Sequence, residues 1–151
     1  RDLVRSRGLG DVYKRQAYNR DQLGKRTDVL LFPEEHKCII VELKSTDADV
    51  GKYLNQVIDY AGLIRQYAKD KFEITNFYAY LIGESFDFDA IINANPNFIE
   101  PPYSDYVYIP DQKINGGKKR EKGTMYFEVL KYSTLLQKAA LRNSVFFNKL
   151  F

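Results

Sequence analysis

Tryptophan is absent from these 151 residues, and cysteine, histidine and methionine occur once each. A single cysteine excludes a disulfide framework and any cysteine-built zinc site within the chain. Cys38 sits in an apolar run and reads as a small buried hydrophobe rather than a nucleophile. Together these point to a reducing, cytoplasmic setting. The single histidine, His36, lies in a polar turn, which removes histidine-based catalytic pairs. No apolar stretch approaches the roughly 20 residues of a membrane helix, and no signal-peptide core appears, so no membrane partner is expected. A glycine-rich phosphate loop, a nucleophile elbow and internal repeats are missing too.

Charge of one sign is also lacking, once the ends are considered. The formal net charge is +3, but residues 1–16 carry five of the 23 basic residues and two of the 20 acidic ones. This segment reads as translated sequencing-adaptor sequence at the edge of a metagenomic fragment, a non-native leader. The remainder, 17–151, holds 18 residues of each sign, so bulk charge says nothing about nucleic acid. Residues 17–151 are long enough for one domain with a real core, expected to be part of a longer protein.

What the chain does have is tyrosine and phenylalanine, 12 and 10 of them, and two adjoining apolar runs. Val29 to Phe32 and Cys38 to Val41 are rich in strand formers, and Pro33 to Lys37 between them has turn composition. With the turn centred on Glu35, a hairpin sets Asp28 across from Glu42. Side chains alternate with period 2, so Glu42 and Lys44 share a face. A slip of two residues would keep Asp28, Glu42 and Lys44 together, and an odd slip would separate them. One face would carry Leu30, Phe32, Cys38 and Ile40, the other Val29, Leu31, Ile39, Val41 and Leu43. Both are apolar, which predicts central strands covered on both sides.

Glu-x-Lys arises by chance about once in a chain of this size. Glu35-His36-Lys37 is such an instance, in the turn. Glu42-Leu43-Lys44 differs because it ends a buried strand, where charge is costly without a partner or metal. After it, Ser45 to Asp49 offers helix caps, and apolar spacing predicts a helix from Val50 to Lys69. Gln56 and Tyr60 lie one turn apart on it, and its first turns return towards Lys44. A strand from Glu73 to Gly83 should follow, parallel to the strand of Glu42. From Glu84 to Pro110 only acidic charges occur, and this tyrosine-rich stretch suits a domain contact or solvated face. Asp87 to Asn93 reads as a short helix, Tyr106 to Pro110 and Thr124 to Leu130 as late strands, and a terminal helix starts at Ser133. Lys113 to Gly123 is a basic loop whose Lys118, Lys119 and Arg120 are candidate phosphate contacts.

Asp28, Glu42-Leu43-Lys44 and the Gln56-Val-Ile-Asp-Tyr60 element resemble the PD-(D/E)xK, or restriction-endonuclease-like, nuclease superfamily. Nuclease-like ends of larger bacterial proteins, Shedu-type defence proteins or ATPase-linked ones, have a similar texture. The resemblance implies an α/β (α+β) fold, with a central mixed β-sheet flanked by helices around a restriction-endonuclease-like core. The family's first helix is expected to be truncated or replaced here, and Thr27 stands where the family has proline.

The resemblance further implies Mg²⁺- or Mn²⁺-dependent hydrolysis of phosphodiester bonds in nucleic acid, DNA before RNA. Asp28, Glu42 and the Leu43 carbonyl are the implied metal ligands. Lys44 would hold or deprotonate the attacking water and offset transition-state charge. Gln56 would bind phosphate, base or metal-bound water, and Tyr60 would join Lys118, Lys119 and Arg120 in contacting nucleic acid. Two other readings stay open: a catalytically inactive nuclease-fold module that binds nucleic acid or a protein partner, and an interaction domain using its tyrosine-rich surface. A simple buried cluster of Asp28, Glu42 and Lys44 is the plain structural alternative.

Overall fold

The computed structural model describes residues 26–68, 73–115 and 123–150, with side chains given for 27–68, 73–115 and 123–143. Residues 1–25, including the segment 1–16 expected to be a leader, lie outside the described residues, as do Lys118, Lys119 and Arg120.

Strand-forming residues build the first hairpin, β1 (Arg26–Phe32) and β2 (Lys37–Leu43). A 3-10 turn at Pro33–Glu35 joins them, with proline's fixed φ opening it and His36 closing it in the left-handed region at φ 54°. The His36 N–H donates to the Pro33 carbonyl at 3.1 Å. The His36 carbonyl then accepts from the Thr75 and Asn76 N–H groups, both at 3.0 Å, so the turn is tied to the start of the next strand.

Ending the turn at His36 recruits Lys37 into β2, where it pairs with Phe32, and the whole register follows: Thr27 faces Glu42 and Asp28 faces Val41. This is the odd slip, one residue from the expected pairing. Its physical reason is visible in the core, because it places Val29 and Leu31 on the same face as Cys38 and Ile40.

A second 3-10 turn, Val50–Tyr53, leads into α1 (Leu54–Tyr67). Asp49 caps that turn by accepting the Gly51 N–H at 3.2 Å. After α1 come β3 (Asn76–Gly83), α2 (Phe88–Ala94), β4 (Tyr106–Ile114), β5 (Gly123–Lys131) and α3 (Tyr132–Leu150). The five strands form one mixed sheet in the order β1-β2-β3-β5-β4. β2, β3 and β5 run parallel in the centre, with antiparallel β1 and β4 outside them. The fold is therefore α+β, and the expected parallel pairing of β3 with the strand of Glu42 is present. β1 is an outer strand of the described sheet rather than a central one.

One face of the sheet builds the core. Cys38, Ile40, Phe77, Ala79, Leu81, Met125, Phe127, Val129, Val107 and Ile109 are buried in one cluster with Leu54, Val57, Tyr60, Ala61 and Ile64 of α1. Ile91 of α2 and Phe98 complete it, with Phe98 and Phe127 meeting edge to face at 5.4 Å. The other face is not buried to the same degree, contrary to the expectation of full cover. Ile39, Val41 and Leu43 are half-buried and Tyr78 is exposed. Tyr80, Tyr126 and Tyr108 form a row there, with ring centres 6.2 and 5.8 Å apart.

Arg65 fastens the layers. It is 3 % exposed, donates to the Ile114 carbonyl at 3.0 Å and reaches Glu73 at 3.5 Å, joining α1 to the end of β4 and the approach to β3.

Candidate active site at the end of the second strand

Glu42 and Lys44 meet where β2 ends. Period-2 alternation puts both on the core face, and the Lys44 N–H extends the ladder by donating to the Ile82 carbonyl at 2.9 Å. The Lys44 ammonium lies 3.1 Å from Glu42 Oε1. Both are buried, Glu42 at 1 % and Lys44 at 4 % exposure. Glu42 Oε2 accepts a hydrogen bond from the Thr27 hydroxyl across the hairpin. The Lys44 ammonium also sits over the ring of Tyr53, 3.6 Å from its centre. The Lys44 carbonyl accepts from the Tyr132 hydroxyl at 2.9 Å, which ties the start of α3 to the same strand end.

Gly83 closes the β3 side. A Cβ there would lie 2.3 Å from Val50 Cγ2 and 3.8 Å from Lys44 Cβ, so the absent side chain is what lets the Val50–Tyr53 turn come against the sheet.

Burial dominates the electrostatics. It raises the Glu42 carboxyl to about 7, opposed by the Thr27 hydrogen bond and by Lys44, with the Asp28 charge adding a small upward push. Burial lowers the Lys44 ammonium, and Glu42 opposes that. The outcome is a desolvated acid–base pair whose carboxyl titrates near neutrality.

The expected site residues are only partly assembled. Glu42 and Lys44 come together as read. Asp28 does not join them: it is exposed and, by alternation from Thr27, points from the opposite face of β1. Its charge is still felt at Glu42. Leu43 lies in the sheet between Arg26 of β1 and Ile82 of β3. Gln56 is half-buried one turn beyond Tyr53, and its Oε1 is buried without a hydrogen-bond partner. Tyr60 is a correction: it is 2 % exposed in the core and presents no surface to nucleic acid. Asp87 spends its carboxylate as the α2 cap, accepting the Asp89 N–H at 3.0 Å.

For a divalent ion, the two carboxylates fail to converge. Glu42 has one oxygen on Thr27 and the other on Lys44, while Asp28 faces away. Among the described residues no three or more histidine, cysteine, aspartate or glutamate side chains gather into a metal-holding group. The arrangement as it stands does not fit a two-carboxylate ion site. What it can do chemically is present one near-neutral carboxyl and one ammonium, held apart from water.

Sequence reasoning missed Thr27, Tyr53 and Tyr132. Thr27 was hidden by the one-residue register difference, and Tyr53 by its place in an ordinary apolar stripe. Nothing in the sequence signals that Tyr132 reaches back to Lys44. Glu84, at the end of β3, was likewise unmarked. It accepts from the Ser133 N–H at 3.3 Å and the Ser133 hydroxyl at 3.4 Å, and these bonds hold its carboxyl below the usual range.

No helix among the described residues is long and apolar enough to cross a membrane. Comparison with protein-family models, curated proteins and solved structures gives no match.

Proposed function

We propose that this chain is a nuclease module of the PD-(D/E)xK type that hydrolyses phosphodiester bonds of nucleic acid, DNA before RNA, with Glu42 and Lys44 as the reacting pair. The observation that carries the reading is the contact of these two groups at the carboxyl end of β2, beside its parallel neighbour β3. In sheets of this kind, ligands characteristically sit outside the carboxyl ends of parallel strands. A carboxyl near 7 can give or take a proton at neutral pH, and an ammonium beside it can offset the charge of the phosphorane.

The Mg²⁺ or Mn²⁺ that the resemblance implies, with Glu42, Asp28 and the Leu43 carbonyl as ligands, is not fitted by these residues as they stand. A bound ion would supply an activated water. No step is drawn through it, because Asp28 is on the other face. A place beside other domains of a longer parent protein belongs to the same proposal.

The test is cleavage of end-labelled DNA with Mg²⁺ or Mn²⁺ by the unaltered chain and by Glu42→Gln and Lys44→Met, with circular dichroism on each. Cutting by the unaltered chain that both variants lose while folded supports the reading. Undiminished cutting by either folded variant ends it.

A second reading, the inactive nuclease-fold module, is favoured by the exposed, outward Asp28 and by the burial of the pair. It expects salt-sensitive DNA binding without turnover. It also expects no Mn²⁺ heat that Asp28→Asn removes.

A further inference from the structure

The loop before β4 holds a residue that packing does not explain. Tyr103 sits in the left-handed region at φ 59°, where a bulky side chain is strained and glycine is not, and its ring is fully exposed. Strain kept at a residue that buries nothing is a mark of function. The ring lines a cavity of about 270 Å³ between this loop and α3, together with Asp105, Tyr106, Gln137, Lys138 and Leu141. Small-molecule sites run from roughly 300 to 1,000 Å³, so this one has room for a single planar ring system.

The two walls differ in charge. α3 offers Lys138 and Arg142 and has no acidic residue along its length, while the loop carries Asp105 within a stretch whose charges are all acidic. A phosphate is therefore drawn to the helix side and turned away from the loop side. The Lys138 ammonium lies 5.1 Å from the centre of the Tyr106 ring, which leaves Tyr103 as the open stacking platform. What suits such a space is a flat ring with N–H and C=O groups on its edge, stacked on tyrosine and met by Gln137 and Asp105. A nucleobase has that form, and only an unpaired one can enter.

The cavity also lies at the right end of the sheet. Tyr106 stands in one register row with Leu130, Ile82 and Leu43, three strand spacings or roughly 14 Å from the strand end that carries Glu42 and Lys44. The first turn of α3 joins the two places: the Tyr132 hydroxyl donates to the Lys44 carbonyl, and the Thr134 hydroxyl donates to the Asp105 carbonyl at 3.5 Å. A few nucleotides of single strand cover that distance.

We propose that this cavity binds an unpaired base of single-stranded DNA, stacked on Tyr103 with its phosphate on Lys138. The inference rests on the nuclease reading for its purpose and deepens it: the substrate is DNA with an unpaired stretch, held a few nucleotides from the reacting pair.

The test is run in EDTA, which removes divalent ions and with them the proposed cutting, so binding is read apart from cleavage. Fluorescence anisotropy follows a labelled oligothymidylate strand with the full chain and, beside it, the same strand annealed to oligoadenylate. The single strand should bind about tenfold tighter than the duplex. Tyr103→Gly should weaken single-strand binding about tenfold without lowering the thermal midpoint, since it removes strain and no packing. Lys138→Gln should reduce the slope of log affinity against log salt by about one. No binding of the single strand, equally tight binding of the duplex, or undiminished binding by Tyr103→Gly overturns the inference. If these differences hold while Mg²⁺ restores no cleavage, the nuclease reading fails and the base site stands. If cleavage is seen and Tyr103→Gly binds the strand as the unaltered chain does, the base site fails alone.

Discussion

Thr27 faces Glu42 across the first hairpin and donates its hydroxyl hydrogen to the buried carboxylate, while its neighbour Asp28 points to the opposite face. Glu42 therefore has a neutral donor where a second negative charge was expected. That choice lowers the cost of keeping a carboxylate at 1 % exposure. Thr27→Val removes the donor and keeps the shape. The Glu42 carboxyl, now near 7, should rise by about one further unit, and Thr27→Ser should restore it. A carbon-13 carboxyl titration of Glu42 reads this directly.

Because the folded Glu42 carboxyl lies above its ordinary 4.5, the folded state binds its proton more tightly than the unfolded chain. Stability from this group is full below pH 4.5 and falls as pH rises towards 7. The expected loss is on the order of 3 kcal/mol. In Glu42→Gln the fall disappears. The unaltered chain should lose stability relative to that variant between pH 5 and pH 8. Loss of the carboxylate also lowers the Lys44 ammonium further, which acts in the same direction. Urea midpoints of the two chains at both pH values check it.

The contrast between what was readable and what was not follows from the physics of each element. Periodicity marked α1, because Leu54, Val57, Ala61 and Ile64 repeat at the helical spacing and all four are buried. The crossover then required β3 to run parallel to β2, as it does. The partnership of Glu42 and Lys44 was legible because alternation in a strand is local. The place of Asp28 was not, because it depends on whether the turn closes at His36 or one residue later. A left-handed residue other than glycine leaves no clear mark in composition. Tyr60 was misplaced for a related reason. It is polar at its tip, and only the rotation of α1 against the sheet decides that it is buried.

Gly83 tests how closely the site depends on packing. A methyl at this position would stand 2.3 Å from a side chain that is itself fully buried. Gly83→Ala should cost about 1–3 kcal/mol by forcing the Val50–Tyr53 turn outward. The same displacement moves the Tyr53 ring away from Lys44. A thermal melt gives the stability change, and the ring-current shift that the Tyr53 face should impose on the Lys44 ε-protons, lost on displacement, reports the movement.

Arg65 offers a comparison outside the site. Its guanidinium holds the Ile114 carbonyl and Glu73 from 3 % exposure. Arg65→Met fills much of the volume but leaves the carbonyl without that donor, at an expected cost of about 2–4 kcal/mol. Denaturant unfolding should show the loss with little dependence on pH between 6 and 8, unlike the Glu42 variants.

The burial of the pair also bears on how its chemistry should be tested, because removing one member is not a surface change. Lys44→Met leaves the Glu42 carboxylate desolvated without its ammonium, and breaking a buried pair in this way costs about 3–5 kcal/mol. At pH 5 the carboxyl can take a proton and much of that cost vanishes, so the variant should be close to the unaltered chain there and far below it at pH 8. Glu42→Gln combined with Lys44→Met removes both charges. At pH 8 this double variant should unfold at a higher urea concentration than Lys44→Met alone. If the single variant is as stable as the double at pH 8, Glu42 is not held as a buried carboxylate by Lys44. If the order is as expected, the double variant is the one whose loss of DNA cleavage speaks about chemistry rather than folding.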